Sequence, residues 1–538
     1  MADFFYRTEA LRVDEIKEYF VETDEDRKIL HELKGRNPVL LVGSRGVGKS
    51  FLFRVAEAEL LEELPEKKVL PVYITFRKSS LIHTDNEQQF HNWMLSRICN
   101  EILRILRRTG RLSFIPSSLS VLSGQSGQLS FTEKTKIELI SEQFEESWKN
   151  PKTHVDTEVI PTVDDLINGI EDICLEIGIK RIVIFIDEAA HIFLPEQQRQ
   201  FFTLFRDLRS PYLTCHAAIY PGVTVFGETF EPIHDATVIP LYRNIQDENF
   251  ISNMRDIVVK QTEDSNILKS ISRQGENFAI LAYASTGNPR HLLKTIAQAP
   301  KLNSTSINNV VREYYRTEIW AEHSKLAEKY PGHRALIDWG REFIETEVLP
   351  GFKSKNDHSL QLGEKTTSFF WVHRDTPEPA KESLRLLQYS GVVLEHSDGI
   401  KVTRSKIGTR FLVNLGCLFA EEAKPAIQSF MIAKSITPRN PTEYGSNHSF
   451  YESLLSQVPN FKEANMTDAL LKQLDNPISD LDLTSWEISS IESLGLNTIG
   501  DILAAPETKL QSAYYVGEKR ARRIRNVAIA AVYEYLSG

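Results

Sequence analysis

Cysteine is scarce in this chain, and its few occurrences are scattered. Cys99, Cys174, Cys215 and Cys417 show no C-x-x-C spacing, so neither a disulfide framework nor a ribbon-type metal site is indicated. They read as reduced, buried thiols. Long apolar runs are lacking too: no stretch approaches the roughly 18 consecutive apolar residues that a membrane-spanning helix needs. The opening MADFFYRTEALRVDE carries acidic residues where a secretory signal would have a basic region and a long apolar segment. A cytoplasmic location is expected. No repeat at a solenoid period is present. Excess positive charge is also missing. A formal net charge of −10 excludes a surface basic all over, but leaves room for a local basic face, because nucleic-acid binding follows patches and not totals.

What is present is ordinary globular material. Of 538 residues, 41% are hydrophobic and 25% charged, enough for a sizeable core and about three domains. Residues 1–36 are charged and helix-prone. Residues 37–230 alternate apolar runs with helical stretches, and Val39–Val42, Val69–Phe76, Ile182–Ile186 and His216–Tyr220 are predicted strands. Near-continuous apolar strands separated by helices predict a doubly wound α/β core with a parallel sheet. We place this core at residues 1–239. A Ser/Gly/Gln-rich then Glu-rich insertion at 109–158 reads as loop plus polar helix. Residues 240–325 read as helical, 326–425 as mixed helix and strand, 426–475 as a polar, proline-punctuated linker, and 476–538 as a compact helical end.

The segment PVLLVGSRGVGKSFLFR holds the complete G-x-x-x-x-G-K-[ST] pattern, Gly43-Ser44-Arg45-Gly46-Val47-Gly48-Lys49-Ser50. A strand precedes it and a helix follows, and Gly43 through Phe51 are expected to hold the nucleotide. Glycines let backbone N–H groups turn inward and, with the helix N-terminus, form an anion-binding concavity. Lys49 would neutralise the β and γ phosphates of ATP, and Ser50 would hold Mg2+ through its hydroxyl. Downstream, Arg181-Ile-Val-Ile-Phe-Ile-Asp187-Glu188 is a buried strand ending in two carboxylates, at the sheet edge where such folds bind ligands. Asp187 is expected to contact the magnesium ion and Glu188 to polarise the attacking water. His191 does not complete a helicase-type D-E-x-H box and reads as a helix-surface residue.

In Ser285-Thr286-Gly287-Asn288-Pro289-Arg290, Asn288 suits a helix N-cap and Pro289 the first helical position. Arg290 then lies in the first turn, where a cation opposes the helix dipole unless a phosphate is near. A polar sensing residue is sought after the strand His216–Tyr220, at Tyr220 or Thr224. Arg206 and Arg209 are alternatives for an arginine reaching a neighbouring subunit.

This ordered set of motifs resembles the AAA+ ATPases, in particular the origin-recognition-complex-like initiator clade, over roughly residues 1–320. The resemblance implies a P-loop core with a helical lid at 240–325. It also implies Lys49 and Ser50 in the first motif, Asp187 and Glu188 in the second, Arg290 as second sensor, ATP and Mg2+ as ligands, and a nucleotide-dependent switch or homo-oligomer, often on double-stranded DNA. Pro379–Gly391 reads as a helix. Val392–Glu395 and Ile400–Thr403 read as a hairpin turning at Asp398-Gly399. Together they resemble a winged helix, with Lys401, Arg404, Lys406 and Arg410 available to phosphates.

Residues 481–538 contain two helix–turn–helix units, turning at Gly495–Gly500 and at Tyr515–Lys519. They resemble tandem helix-hairpin-helix domains, especially the C-terminal domain of the bacterial RNA polymerase α subunit. Trp486 stands where that domain has an arginine. Gly517 permits close approach of backbone N–H groups to a phosphate, and Lys519, Arg520, Arg522 and Arg523 supply positive charge. The expected function is a DNA-associated ATPase switch, for which initiator, transposition-regulator and phage-defence roles would all serve. The alternatives are a signalling NTPase whose C-terminal module recognises a protein partner, and a DNA-binding scaffold using ATP as a structural ligand.

Overall fold

The computed structural model describes residues 4–6, 8–76, 88–110, 120–125, 134–146, 155–189, 195–224, 226–227, 229–329, 333–401, 406–457, 474–481, 483–517, 520–521, 523–525 and 527–528. Strands β1 (Val39–Val42), β2 (Val69–Thr75), β3 (Arg181–Asp187), β4 (Leu213–Ile219) and β5 (Thr237–Pro240) form one sheet in the order β2-β3-β4-β1-β5. Every neighbouring pair in it is parallel. β3 and β4 are buried along their whole lengths, because helices cover both faces. Trp93, Ile98 and Phe202 pack on one face with Ile184 and Ile186. Leu30, Phe53 and Val55 pack on the other with Val183 and Phe185. The alternation within β3 thus sends successive apolar side chains to opposite cores, as period two requires.

Four of these strands were legible as apolar runs. β5 was not: it is a largely exposed edge strand with too little apolar character to signal itself. Register brings the strand ends together. Val42 lies opposite Ile219 and Thr75 opposite Asp187, so Gly43, Tyr220, Asp187 and Thr75 all emerge at one edge of the sheet.

A second sheet runs β7-β8-β6-β9, from β6 (Phe369–His373), β7 (Val393–Lys401), β8 (Ile407–Val413) and β9 (Thr442–Tyr444). Its aromatic face joins the helices between Phe250 and Tyr451 in a single core that includes Trp320, Trp339, Phe343 and Phe370. Two expectations need correction here. Asp398 and Gly399 do not turn a hairpin. They lie inside β7, whose pairing with β8 shifts register between Glu395 and Ser397 and again between Ser397 and Ile400. Gly399, at φ +63°, absorbs this irregularity, so the Asp-Gly signal marks a bulge and not a turn. Residues 426–457, expected as part of a linker, form the helix Pro425–Ser435, strand β9 and the helix Phe450–Gln457. Pro425 sits at the first helical position, where proline starts helices, and β9 pairs in parallel with β6.

Residues 474–528 have a small core of their own, with Ile478, Ile491, Ile499, Ile502, Leu510 and Ile524 at its centre. Two of its helices, Ser485–Glu492 and Ile499–Ala504, open with capping boxes, Thr484 with Glu487 and Thr498 with Asp501. Among the described residues no helix is long and apolar enough to cross a membrane.

Candidate nucleotide site

After β1 the chain turns through Gly43–Gly48 into the helix Lys49–Lys67. Gly46 and Gly48 adopt φ +85° and +113°, values that only glycine reaches at low cost. Gly43 is constrained differently. A Cβ there would stand 2.7 Å from Val47 Cγ1, so the loop can close on itself only without a side chain. Gly43 N–H donates to the Ile219 carbonyl at 3.3 Å, which ties the loop to β4. Lys49 is buried and donates to the carbonyls of Gly43 and of Ser44, the latter at 3.1 Å. Its ammonium lies 4.1 Å from the Tyr220 ring centroid.

Asp187 and Glu188 stand on the neighbouring strand end. Asp187 accepts from the Tyr73 hydroxyl at 2.5 Å and, through Oδ1, from the Glu188 N–H at 2.9 Å. Glu188 takes φ +55°, and Thr75 Oγ1 donates to its carboxylate at 3.3 Å.

The helix Pro289–Gln298 meets the loop at the predicted turn. Asn288 caps the helix Pro289–Gln298, its Oδ1 accepting from the N–H of Arg290 and of His291. The same side chain donates through Nδ2 to the Arg45 carbonyl at 2.8 Å. One residue thus starts the lid helix and bolts it to the phosphate loop. Arg290 donates through Nε to the Tyr6 carbonyl at 3.1 Å and lies against Gly46. A Cβ on Gly46 would come within 2.9 Å of Arg290 Cβ and 3.0 Å of Asn288 Oδ1. Gly46→Ala is therefore expected to push the lid off the loop, destabilising the chain by about 1–3 kcal/mol and weakening ATP binding about tenfold or more. Thermal unfolding and a nucleotide titration check this, and unchanged affinity would show that lid contact is dispensable.

Several of these groups line a cavity of about 570 Å3, a size that suits a nucleotide. Gly46, Gly48, Lys49, Ser50, Phe51, Glu188, Tyr220 and Arg290 contribute to it. So do residues that the sequence reading missed. The N-terminal segment was read only as a charged approach to the first strand, yet Phe5, Tyr6, Tyr19, Phe20 and Val21 form one wall. Phe20 stacks on Phe51 with ring centroids 6.1 Å apart. The aromatic density at Phe4-Phe5-Tyr6 and Tyr19-Phe20 was the available signal. Arg243 carried none. It donates to the Val47 carbonyl at 2.9 Å, and burial lowers its guanidinium below the usual value. Of the two sensing candidates, Tyr220 enters the site, while Thr224 donates back to the Tyr220 carbonyl at 2.7 Å. On its far side Tyr220 meets Tyr389, centroids 5.4 Å apart, so the helix Glu378–Tyr389 of the second sheet's unit reaches the nucleotide site.

Other candidates lie elsewhere. Arg206 donates to the Thr229 carbonyl at 2.7 Å, and Arg209 pairs with Asp235 at 3.4 Å. Arg209 sits with Pro38, Leu213 and Thr237, at the sheet edge opposite the phosphate loop. Arg410 is turned inward onto the Pro438 carbonyl at 2.9 Å. Gly517, Arg520 and Arg523 are exposed on the C-terminal module. Lys519, Arg522, Arg404 and His191 fall outside the described residues.

A family model described as ORC-CDC6-like matches residues 4–339. The solved structure of the Aeropyrum pernix ORC1 protein in complex with DNA is similar to this chain at 14% identity, covering 76% of this chain and 92% of that one, with a TM-score of 0.31. No curated protein sequence matches the chain.

Proposed function

Because the chain belongs to the ORC-CDC6-like family, we propose that it is a DNA-associated ATPase switch, in which ATP binding draws the lid onto the phosphate loop and hydrolysis releases it. The observation that carries this reading is convergence. The N-terminal aromatic segment, the phosphate loop, the Asp187–Glu188 strand end and the Asn288–Arg290 turn come from distant parts of the chain and line one pocket or its rim.

The residues fit the ligands. Gly46 and Gly48 hold the loop open for backbone N–H donors. Gln261 Oε1, buried and without a hydrogen-bond partner, belongs to a pocket residue and suits the amino group of an adenine base. Ser50 and Asp187 offer a hydroxyl and a carboxylate, the sparse oxygen set that suits Mg2+, which keeps waters and phosphate oxygens for the rest. Among the described residues no group of three or more His, Cys, Asp or Glu forms a protein-only metal cage. When bound, the magnesium ion neutralises charge on the phosphoryl oxygens. Lys49 and Arg290 place further positive charge on the phosphates, while Glu188 orients a water and takes its proton. Tyr220, between Lys49 and Tyr389, would pass the occupancy of the site to the unit built on β6–β9.

The exposed bases of the C-terminal module support the nucleic-acid half of the reading. If Arg520 and Arg523, together with their sequence neighbours Lys519 and Arg522, meet phosphates, DNA affinity should fall on the order of 10²-fold between 50 and 200 mM salt. ATP turnover measured with and without double-stranded DNA at two salt concentrations tests it. Stimulation that fades with salt, and is lost on removing residues 476–538, is the expected result. Turnover indifferent to DNA would favour the protein-recognising switch instead.

A further inference from the structure

Among its described residues, the C-terminal module buries most of its aliphatic side chains but leaves its aromatic ones outside. Tyr514 is 77% exposed, Tyr515 69% and Trp486 41%. A small domain short of core material would gain by burying such side chains. They are also contiguous. The Tyr514 and Tyr515 rings meet edge-on at 5.0 Å. Arg520 donates from Nη1 to the Tyr515 carbonyl at 2.7 Å, and its guanidinium lies 5.3 Å from the Trp486 ring centroid. Arg523, on the same helix, stands 3.6 Å from Glu487, the neighbour of Trp486. The result is a strip in which aromatic rings alternate with arginines.

The tip of this strip is held at a cost. Tyr515 has φ +61°, a conformation that glycine adopts freely and that costs other residues roughly 1–2 kcal/mol. Its edge-on contact with Tyr514 leaves both rings largely in solvent.

We propose that the strip binds single-stranded nucleic acid, with unpaired bases stacking on Tyr514 and Tyr515 while Arg520 and Arg523 face the phosphate backbone. The chemistry separates this from duplex binding. A duplex hides the flat faces of its bases in the helical stack and offers a protein mainly phosphates and groove edges. Contact with it calls for cations and backbone N–H groups, which Gly517 and the arginines supply without any exposed ring. Exposed rings interleaved with cations are instead the means by which proteins hold single strands, since every base has a face to stack and the backbone is anionic throughout. A protein-binding patch is less well matched, because these tyrosines project from a turn into solvent. This inference rests on the nucleic-acid reading of the module given above.

The test uses the full chain and fluorescence anisotropy with a labelled oligothymidylate and a labelled duplex of equal length. Tyr515→Gly relieves the backbone strain, so the variant Tyr514→Ala/Tyr515→Gly keeps the turn while losing both rings. Single-strand affinity is expected to fall about ten- to hundredfold, with duplex affinity changed by less than about threefold. The pair Tyr514→Phe/Tyr515→Phe should restore single-strand binding. Single-strand affinity unmoved by loss of both rings overturns the proposal. If removal of residues 476–538 abolishes duplex binding in that case, the nucleic-acid reading of the module stands without the stacking. If that removal changes neither affinity, both fall together, and a protein partner becomes the occupant to seek.

Discussion

Glu188→Gln is expected to lower ATP turnover by about 10²–10⁴-fold, the usual contribution of a positioned general base, while nucleotide affinity stays within about threefold. The expectation follows from where the side chain stands. Glu188, at φ +55°, directly follows Asp187, whose two oxygens accept from Tyr73 and from the Glu188 N–H. Glu188 is the other acid of this strand end, and Thr75 donates to its carboxylate at 3.3 Å. Glutamine matches glutamate in shape and keeps an acceptor for the Thr75 hydroxyl, but it cannot take a proton. Phosphate release under saturating ATP is the measurement. Turnover within about threefold of the parent chain would remove Glu188 from the base role and leave a scaffold that uses ATP as a structural ligand.

The second large effect concerns pH. Burial, opposed by Asp187 and reinforced by Arg290 and Arg45, pushes the Lys49 ammonium down from its ordinary 10.5 to about 7. Phosphates placed beside it favour the charged form and raise the value again. Nucleotide binding must then take up a proton wherever the pH exceeds about 7. By linkage, affinity falls as pH rises through that value, by at most tenfold per pH unit, until the bound-state value is reached. ATP affinity at pH 9 is thus expected to be about 10–100-fold weaker than at pH 7. Titration of a fluorescent ATP analogue at several pH values measures it, and calorimetry in buffers of different ionisation enthalpy measures the proton taken up. Lys49→Met should bind weakly at every pH and lose the slope. A flat affinity profile for the parent chain would mean that Lys49 stays charged in its burial site, with Asp187 and Glu188 outweighing desolvation. It would not disturb the phosphate-loop assignment, which Lys49→Met tests on its own.

Local features of this protein were legible from residue order alone, because the forces that make them act over a few residues. The glycines at 43, 46 and 48 are needed by the loop's own backbone. The carboxylates at 187 and 188 end a strand whose burial is written in five consecutive apolar positions, Ile182–Ile186. Asn288 followed by Pro289 starts a helix wherever it is placed. The order of the motifs along the chain was enough to suggest the family. What residue order could not supply was every contact whose partners are far apart in sequence. The amide of Asn288 reaches the Arg45 carbonyl, and Arg243 reaches Val47. The rings of Phe20 and Phe51 meet across the mouth of the site. In each case the residue type is compatible with a solvated surface, and only the packing of the lid and the N-terminal segment against the sheet selects the bond. The same reason explains the bulge at Gly399 and the strand at Thr442–Tyr444. Asp-Gly and a proline-rich polar stretch favour turns in isolation, but an open edge of a sheet with unpaired N–H and C=O groups outweighs that local preference.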